Sequence, residues 1–376
     1  MTSQIDKKLI VVGRFPPPLD GQSVSTARFM DVMAGSYSCI AIDTMVPIDT
    51  RFPDKISSFR KIGKRLRAAL SEHGDATVIW LSISPQPLGH FRDLLTIWPQ
   101  LRSRRVIAVV HWGRFARLFT QFTTRWTAPG ATASLSRVVF TDEALSALCS
   151  HWLSSTQRVV VPNSIDLITQ TAEGDVTSKT ERGPGKPLRV LFLSNMIQEK
   201  GYLDVLHAAF LLLDASVPVK FDFAGAWLTR GDKNEFGRLV AQHGASESVR
   251  HLGPVTDRSE IRRLHREADI LVLPSYLGEA QPLSIIEALC AGTPAIVADD
   301  GGMPAMIDFE KAGRVVPPRS PESIRDAILE LSDRETWKRC SQHARMKFLS
   351  TFSTDQVQRA WIELITEVER EQGVAL

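Results

Sequence analysis

Cysteine is scarce in this chain. Cys39, Cys149, Cys290 and Cys340 are the only four, and none forms a Cys-x-x-Cys pair. Neither a zinc ribbon nor a disulfide framework is suggested by that spacing. Cys39, Cys149 and Cys290 lie in apolar stretches and read as core fillers, which fits a reducing compartment. Net charge is also small, at +3, so the chain as a whole is not a nucleic-acid binder by charge. Long apolar runs are missing, and none approaches the roughly 18 residues that span a bilayer. Met1 to Lys8 is polar, and Leu9 to Gly13 is too short for a signal peptide and reads as a buried strand. No Asp-x-Asp triplet occurs, so a divalent metal bridging a diphosphate is not expected.

What is present is a hydrophobic fraction of 43% over 376 residues, ordinary for a globular protein and too long for one core. Short Val/Ile/Leu runs alternate with amphipathic segments, the pattern of parallel sheets covered by helices. The first half offers strands at Leu9–Gly13, Cys39–Asp43, Thr77–Leu81, Val106–His111, Val138–Phe140 and Val159–Val161. The second half offers Leu188–Leu193, Phe221–Ala224, Arg250–Leu252, Ile270–Leu273, Ala295–Ala298 and Gly313–Val316. Between them, 169–187 is polar and holds Gly174, Gly183, Pro184 and Gly185, reading as a linker or exposed loop. The expected division is therefore one domain over 1–168, a linker over 169–187 and a second domain over 188–353. A helix follows over 354–376, where Val357, Ala360, Trp361, Leu364, Ile365 and Val368 recur at helical spacing.

Two glutamates in the second half, Glu279 and Glu287, flank a loop that turns into a helix: Gly278-Glu279-Ala280-Gln281-Pro282-Leu283-Ser284-Ile285-Ile286-Glu287. Pro282 fits the first helical turn, where a missing N–H costs nothing. The N–H groups of Leu283, Ser284 and Ile285 would then face outward as an anion site. Glu279 would stand just ahead of that site and Glu287 roughly 7 Å along the axis. A diphosphate there would have a carboxylate on each side. That arrangement suits a nucleotide sugar, with one acid for sugar hydroxyls and one for the ribose diol. The plain alternative is an acid favoured by the helix dipole plus a solvated helical Glu.

The segment from Ala268-Asp269 through Pro274-Ser275, Glu279, Glu287-Ala288 and Gly292-Thr293-Pro294 to Gly301-Gly302-Met303-Pro304 resembles the retaining glycosyltransferases of family 4. The resemblance implies the GT-B fold, an α/β architecture of two Rossmann-like domains facing across a cleft. It also implies an acceptor-binding first domain, a nucleotide-sugar-binding second domain and a C-terminal helix packed back on the first. By resemblance Glu279 contacts the donor sugar and Glu287 the ribose, with Gln281, Pro282, Leu283 and Ser284 beside the donor.

Further positions follow from the same likeness. Ser194-Asn195-Met196-Ile197-Gln198-Glu199-Lys200-Gly201 follows a strand and precedes a helix, where open α/β sheets bind ligands. There the resemblance makes Lys200 the residue that stabilises the departing diphosphate. Many family members carry Arg where this chain has Asn195, which donates hydrogen bonds but no charge. Either Lys200 and the helix N-terminus suffice, or another basic residue reaches in. Gly253-Pro254-Val255 would lie near the nucleobase, with Val255 in contact; ordinary strand-end turns are the alternative. Trp227 reads either as a lid over the base or as packing. In the first half, Arg14 to Ser23 resembles the family's glycine loop, with Gly21 permitting close backbone approach. This loop is not the dinucleotide Gly-x-Gly-x-x-Gly, so NAD binding loses support. His111, after the strand Val106–Val110, would reach the donor sugar.

Two segments fit either a membrane surface or an amphipathic helix on a core. One is Lys55 to Leu70, with Arg60, Lys61, Lys64, Arg65 and Arg67 among apolar residues. The other is Arg114 to Trp126, with Phe115, Leu118, Phe119, Phe122 and Trp126 at spacings of three and four.

The expected activity is a retaining, metal-independent glycosyl transfer from a UDP- or GDP-linked sugar to a glycan or polyprenyl-linked acceptor. Bacterial exopolysaccharide, O-antigen or lipopolysaccharide synthesis is the expected setting. No cofactor and no nucleic acid are expected. The expected location is cytoplasmic, with an anionic inner membrane face as a further partner. The competing readings are a non-catalytic GT-B subunit that binds a nucleotide sugar, and a sugar-nucleotide epimerase.

Overall fold

In a computed structural model the structure describes residues 7–17, 21–46, 52–81, 83–84, 86–110 and 115–373. The chain divides into two compact units: 1–163 with 357–376, and 164–356.

The first unit is built on six parallel strands: β1 (Lys8–Gly13), β2 (Ser38–Asp43), β3 (Thr77–Trp80), β4 (Val106–Val110), β5 (Arg137–Phe140) and β6 (Arg158–Val160). Their spatial order is β2-β1-β3-β4-β5-β6. Central strands read as unbroken apolar runs because helices cover both faces of a parallel sheet. Leu9, Ile10, Val11 and Val12 are all fully buried. The order reverses between β1 and β3, and helix α1 (Gly21–Met33) starts at that point. Gln22 Nε2 donates to the Leu81 carbonyl at 3.1 Å, tying the helix start to the end of β3. Helices α2 (Phe52–Glu72) and α3 (Pro87–Thr96) follow in chain order. The helix Thr354–Gly373, remote in sequence, completes this unit's core. Trp361, Leu364, Ile365 and Val368 bury among Phe29, Val32 and Met33, with Trp361 edge-on to Phe29 at 4.9 Å.

The second unit has its own six parallel strands: β7 (Leu188–Leu193), β8 (Val219–Ala224), β9 (Val249–Gly253), β10 (Ile270–Leu273), β11 (Ala295–Ala298) and β12 (Gly313–Val316). Their order is β12-β11-β10-β7-β8-β9, so the reversal lies between β7 and β10. Ligands of open α/β sheets bind at the carboxyl ends of strands beside such a reversal.

The linker expected over 169–187 is corrected. Residues Glu173–Arg182 form a helix with Val176 and Lys179 buried. Its glycines mark the ends or an exposed turn, while Glu173 and Asp175 at the start and Arg182 at the end suit the helix dipole. The composition was polar because most of the helix faces water.

Candidate functional site

The loops after β7 and β10 meet beside the reversal of the second sheet. After β7 the chain makes a short 3-10 turn, Gln198–Lys200. The Tyr276 N–H donates to the Glu199 carbonyl at 2.9 Å, and the Tyr276 hydroxyl donates to the Gln198 carbonyl at 3.0 Å. Gly201 makes this contact possible. Its φ is +82°, and a Cβ there would lie 2.7 Å from the Pro274 carbonyl oxygen. The small, left-handed residue lets the turn press against the end of β10. Lys200 Nζ is thereby brought onto Glu279 Oε2 in a direct ion pair, both side chains being under a fifth exposed.

Glu279 is held from its other side as well. The Gly302 N–H donates to the Glu279 carbonyl at 2.8 Å, and the Gly278 N–H donates to Asp300 Oδ2 at 2.6 Å. Gly301, at φ +59°, leaves space where a Cβ would strike the Glu279 carbonyl at 2.2 Å. Glu279 Oε1 is shielded from water and makes no hydrogen bond among the described residues. A shielded carboxylate oxygen without a donor is a costly arrangement.

The helix Leu283–Cys290 begins four residues on. Pro282 is corrected from its first turn to its N-cap, with ψ 130° outside the helical region. The Ile285 N–H turns back to the Pro282 carbonyl at 3.2 Å, so it is not one of the outward donors expected. The N–H groups of Leu283 and Ser284 remain at the head of the helix, beside the Lys200–Glu279 pair in sequence and topology. Gln281 and Pro282 are half-buried, and Ser284 is buried. One turn further, Glu287 is only 4% exposed, and its Oε2 lies 3.4 Å from His265 Nε2. It is therefore not a solvated helical acid.

Below this pair, Lys179 Nζ donates to the His265 carbonyl at 2.9 Å and to Thr293 Oγ1, whose hydroxyl also donates to the His265 carbonyl. Burial lowers the Lys179 ammonium to about 7, against the pull of Asp269. Thr293 of the Gly-Thr-Pro segment is fully buried and serves this support rather than a ligand.

Asn195 is exposed after β7. Val255 is half-buried after β9 and packs on the core. Trp227 is half-buried and packs after β8. Its ring lies within 5.4 Å of Tyr202, Phe236 and His251, and its Nε1–H donates to His251 Nδ1 at 3.3 Å. Gly21 opens α1 in the other unit. His111 lies outside the described residues. Sequence reasoning missed Tyr276, His265, Asp300 and Arg319, whose guanidinium lies 4.5 Å from the Tyr276 ring centroid. Tyr276 and Asp300 lie within the 268–304 segment but are not among its named positions, and His265 and Arg319 lie outside it.

Neither basic segment is a free amphipathic helix. On α2 the apolar residues Ile62, Leu66 and Leu70 belong to the core, leaving Arg60, Lys61, Lys64, Arg65 and Arg67 exposed. The second segment is broken into turns and one short helix, Arg117–Thr120. Phe115, Leu118 and Phe119 are buried, whereas Phe122 and Trp126 are exposed. Among the described residues no helix is long and apolar enough to cross a membrane.

Residues 176–347 match the sequence family described as Glycosyl transferases group 1. That match lies within the second unit. A D-inositol 3-phosphate glycosyltransferase of Corynebacterium jeikeium is 30% identical over 203 residues, covering 52% of this chain and 48% of that protein. A putative colanic acid biosynthesis glycosyltransferase of Salmonella typhimurium is 22% identical over 199 residues, covering 51% and 48%. The chain thus spans about half the length of the curated relatives it matches. An Anabaena protein crystallised with UDP and glucose superposes with a TM-score of 0.68 at 13% identity, covering 96% of this chain and 99% of that one. That likeness establishes the GT-B fold for the two six-stranded units.

Proposed function

We propose that this chain is a retaining, metal-independent glycosyltransferase of the family 4 type. It moves a sugar from a UDP- or GDP-linked donor to a glycan or polyprenyl-linked acceptor in bacterial polysaccharide or lipopolysaccharide assembly. The observation that carries the reading is the Lys200–Glu279 pair at the head of the helix Leu283–Cys290, beside the sheet reversal. In this reading the donor diphosphate lies against the Leu283 and Ser284 N–H groups and draws Lys200 away from Glu279. Glu279 then accepts hydrogen bonds from sugar hydroxyls, and Glu287 from the ribose diol. In this reading His111 and Gly21 also serve the donor.

The acceptor hydroxyl attacks the anomeric carbon on the face from which the diphosphate departs. The bond from that carbon to the diphosphate oxygen breaks as the new glycosidic bond forms. The acceptor proton passes to a phosphate oxygen of the leaving group, so no protein base is required. Lys200 and the helix N-terminus hold the charge that develops, a fixed electrostatic role. The deciding experiment incubates the purified chain with a panel of nucleotide sugars, with and without EDTA, and follows nucleoside diphosphate release. Turnover unaffected by EDTA and retention at the anomeric carbon are expected. Tight donor binding without any turnover would instead favour the binding-subunit reading.

The ribose assignment has its own check. Glu287→Ala should weaken UDP or GDP binding by about 1.5–3 kcal/mol, the worth of a charge-assisted hydrogen bond. Calorimetry on a variant that melts normally measures this, and unchanged affinity would return Glu287 to a purely structural partner of His265.

A further inference from the structure

Helix α3 is amphipathic in the reverse sense. It buries His90 and Asp93, 2% and 1% exposed, and presents Leu88, Phe91 and Leu95, 88%, 41% and 79% exposed. Spacings of three and four put the latter three on one stripe, which a surface helix ordinarily turns to the core. His90 is tied to a neighbouring segment, and Asp93 is paired within its own helix. His90 Nε2 and Thr127 Oγ1 are 2.8 Å apart, and Arg92 Nε donates to Asp93 Oδ1 at 2.7 Å.

Both flanks of the stripe are occupied by matching chemistry. On one side α2 packs along α3: the Arg92 guanidinium lies 5.7 Å from the Phe59 ring centroid, and a Cβ on Gly63 would lie 3.5 Å from the Thr96 carbonyl. The flank of α2 next to that contact line holds Ile56, Arg60, Lys64 and Arg67, all exposed. On the other side, the segment ending at Thr127 exposes Phe122 and Trp126, 78% and 76%, with Arg125 over both rings at 5.2 and 4.7 Å. Charge in this region is one-sided. From Lys55 to Thr141 there are fourteen lysines and arginines, of which Arg137 is buried and paired with Glu367 and Glu371, against three carboxylates, of which Asp93 is buried.

We propose that this face of the first unit docks on an anionic lipid bilayer. Leu88, Phe91, Leu95, Phe122 and Trp126 enter the boundary between headgroups and acyl chains. Arg60, Lys64, Arg67 and Arg125 meet the lipid phosphates. A nucleic acid would use the cations and the aromatic rings but has no use for two leucines exposed this far. An apolar stripe bordered by cations is what an interfacial helix requires. The inference stands on the surface of the first unit alone and holds whether or not the second unit transfers a sugar.

The test is co-sedimentation of the full chain with vesicles of phosphatidylcholine alone and of phosphatidylcholine with phosphatidylglycerol. Retention on the anionic vesicles, weakened by salt, is expected. Leu88→Ser with Leu95→Ser should lower the vesicle partition at least tenfold while melting temperature stays unchanged, because both residues are already in water. Replacing Arg60, Lys64 and Arg67 with Gln should lower it about fivefold per cation on anionic vesicles only. Wild-type protein that stays in the supernatant with both vesicles overturns the proposal. So does a leucine variant that binds like wild type. A dimer in lipid-free solution that the leucine variant dissociates would give the face to a second copy of the chain instead.

Discussion

At the scale of single residues, the Lys200–Glu279 pair is the most informative contact. In the proposed reading, a cation already seated against an acid exchanges partners when a diphosphate binds. Lys200→Ala should lower turnover by about 10²–10³, the cost of removing one electrostatic donor from a reacting centre. Binding of sugars without a diphosphate should be unchanged. Steady-state kinetics beside sugar titrations measure both, and a pure KM effect would count against a role on the leaving group. Lys179 makes a different prediction. Its ordinary value is 10.5, and burial lowers it to about 7 in the folded chain. Between those values the unfolded chain binds more protons, so stability rises with pH across that window. Below 7 both states are protonated and the full cost of the buried charge is felt. Lys179→Met should flatten this rise, worth a few kcal/mol at about 1.4 kcal/mol per pH unit. Urea melts of both proteins at neutral and alkaline pH measure it; parallel curves would remove the assignment.

At the scale of elements, glycine placement matters as much as charge. Gly201→Ala forces a side chain into φ +82° and against Pro274, so the turn carrying Lys200 must move. Donor affinity should fall by more than tenfold with a modest loss of stability. Gly237→Ala is the control: it lies in the helix Arg230–Gln242, with nothing within 4 Å of a new Cβ, and should be neutral or stabilising. Calorimetry and melting of the pair decide it, and equal donor affinity in both would dismiss the positional argument. The strands were legible one by one, because β-branched apolar runs such as Leu9 to Val12 have few other uses. The helix Glu173–Arg182 was not, since its only deeply buried side chains are Val176 and Lys179 and its remaining surface is polar. The Arg114–Trp126 stripe had helical spacing yet folds as turns, because Phe115, Leu118 and Phe119 find the core without a continuous helix.

At the scale of the molecule, the helix Thr354–Gly373 completes a core assembled from residues more than two hundred positions earlier. Trp361→Ala should cost about 3–5 kcal/mol by leaving a large cavity against Phe29. It should lower the melting transition of the first unit and leave the nucleotide-dependent stabilisation of the second intact. Calorimetric melts with and without UDP separate the two effects, and loss of the nucleotide response would show that the units do not melt independently.

The sequence by itself determined the twelve strands, the α/β class and the two separate segments that hold Lys200 and the Glu279 and Glu287 pair. Those features are local: periodicity, turn residues and motif order are written within a few positions of one another. Tertiary structure alone decided which charges touch. Lys200 reaches Glu279 only because parallel pairing sets β7 beside β10 and Gly201 fits under Pro274. Glu287 faces His265, and Lys179 lies beneath them, because helices from three places in the chain pack on one sheet. The exposed stripe of α3 was likewise invisible in one dimension. Leu88, Phe91 and Leu95 have core spacing, and only the burial of His90 and Asp93 behind them turns the stripe outward.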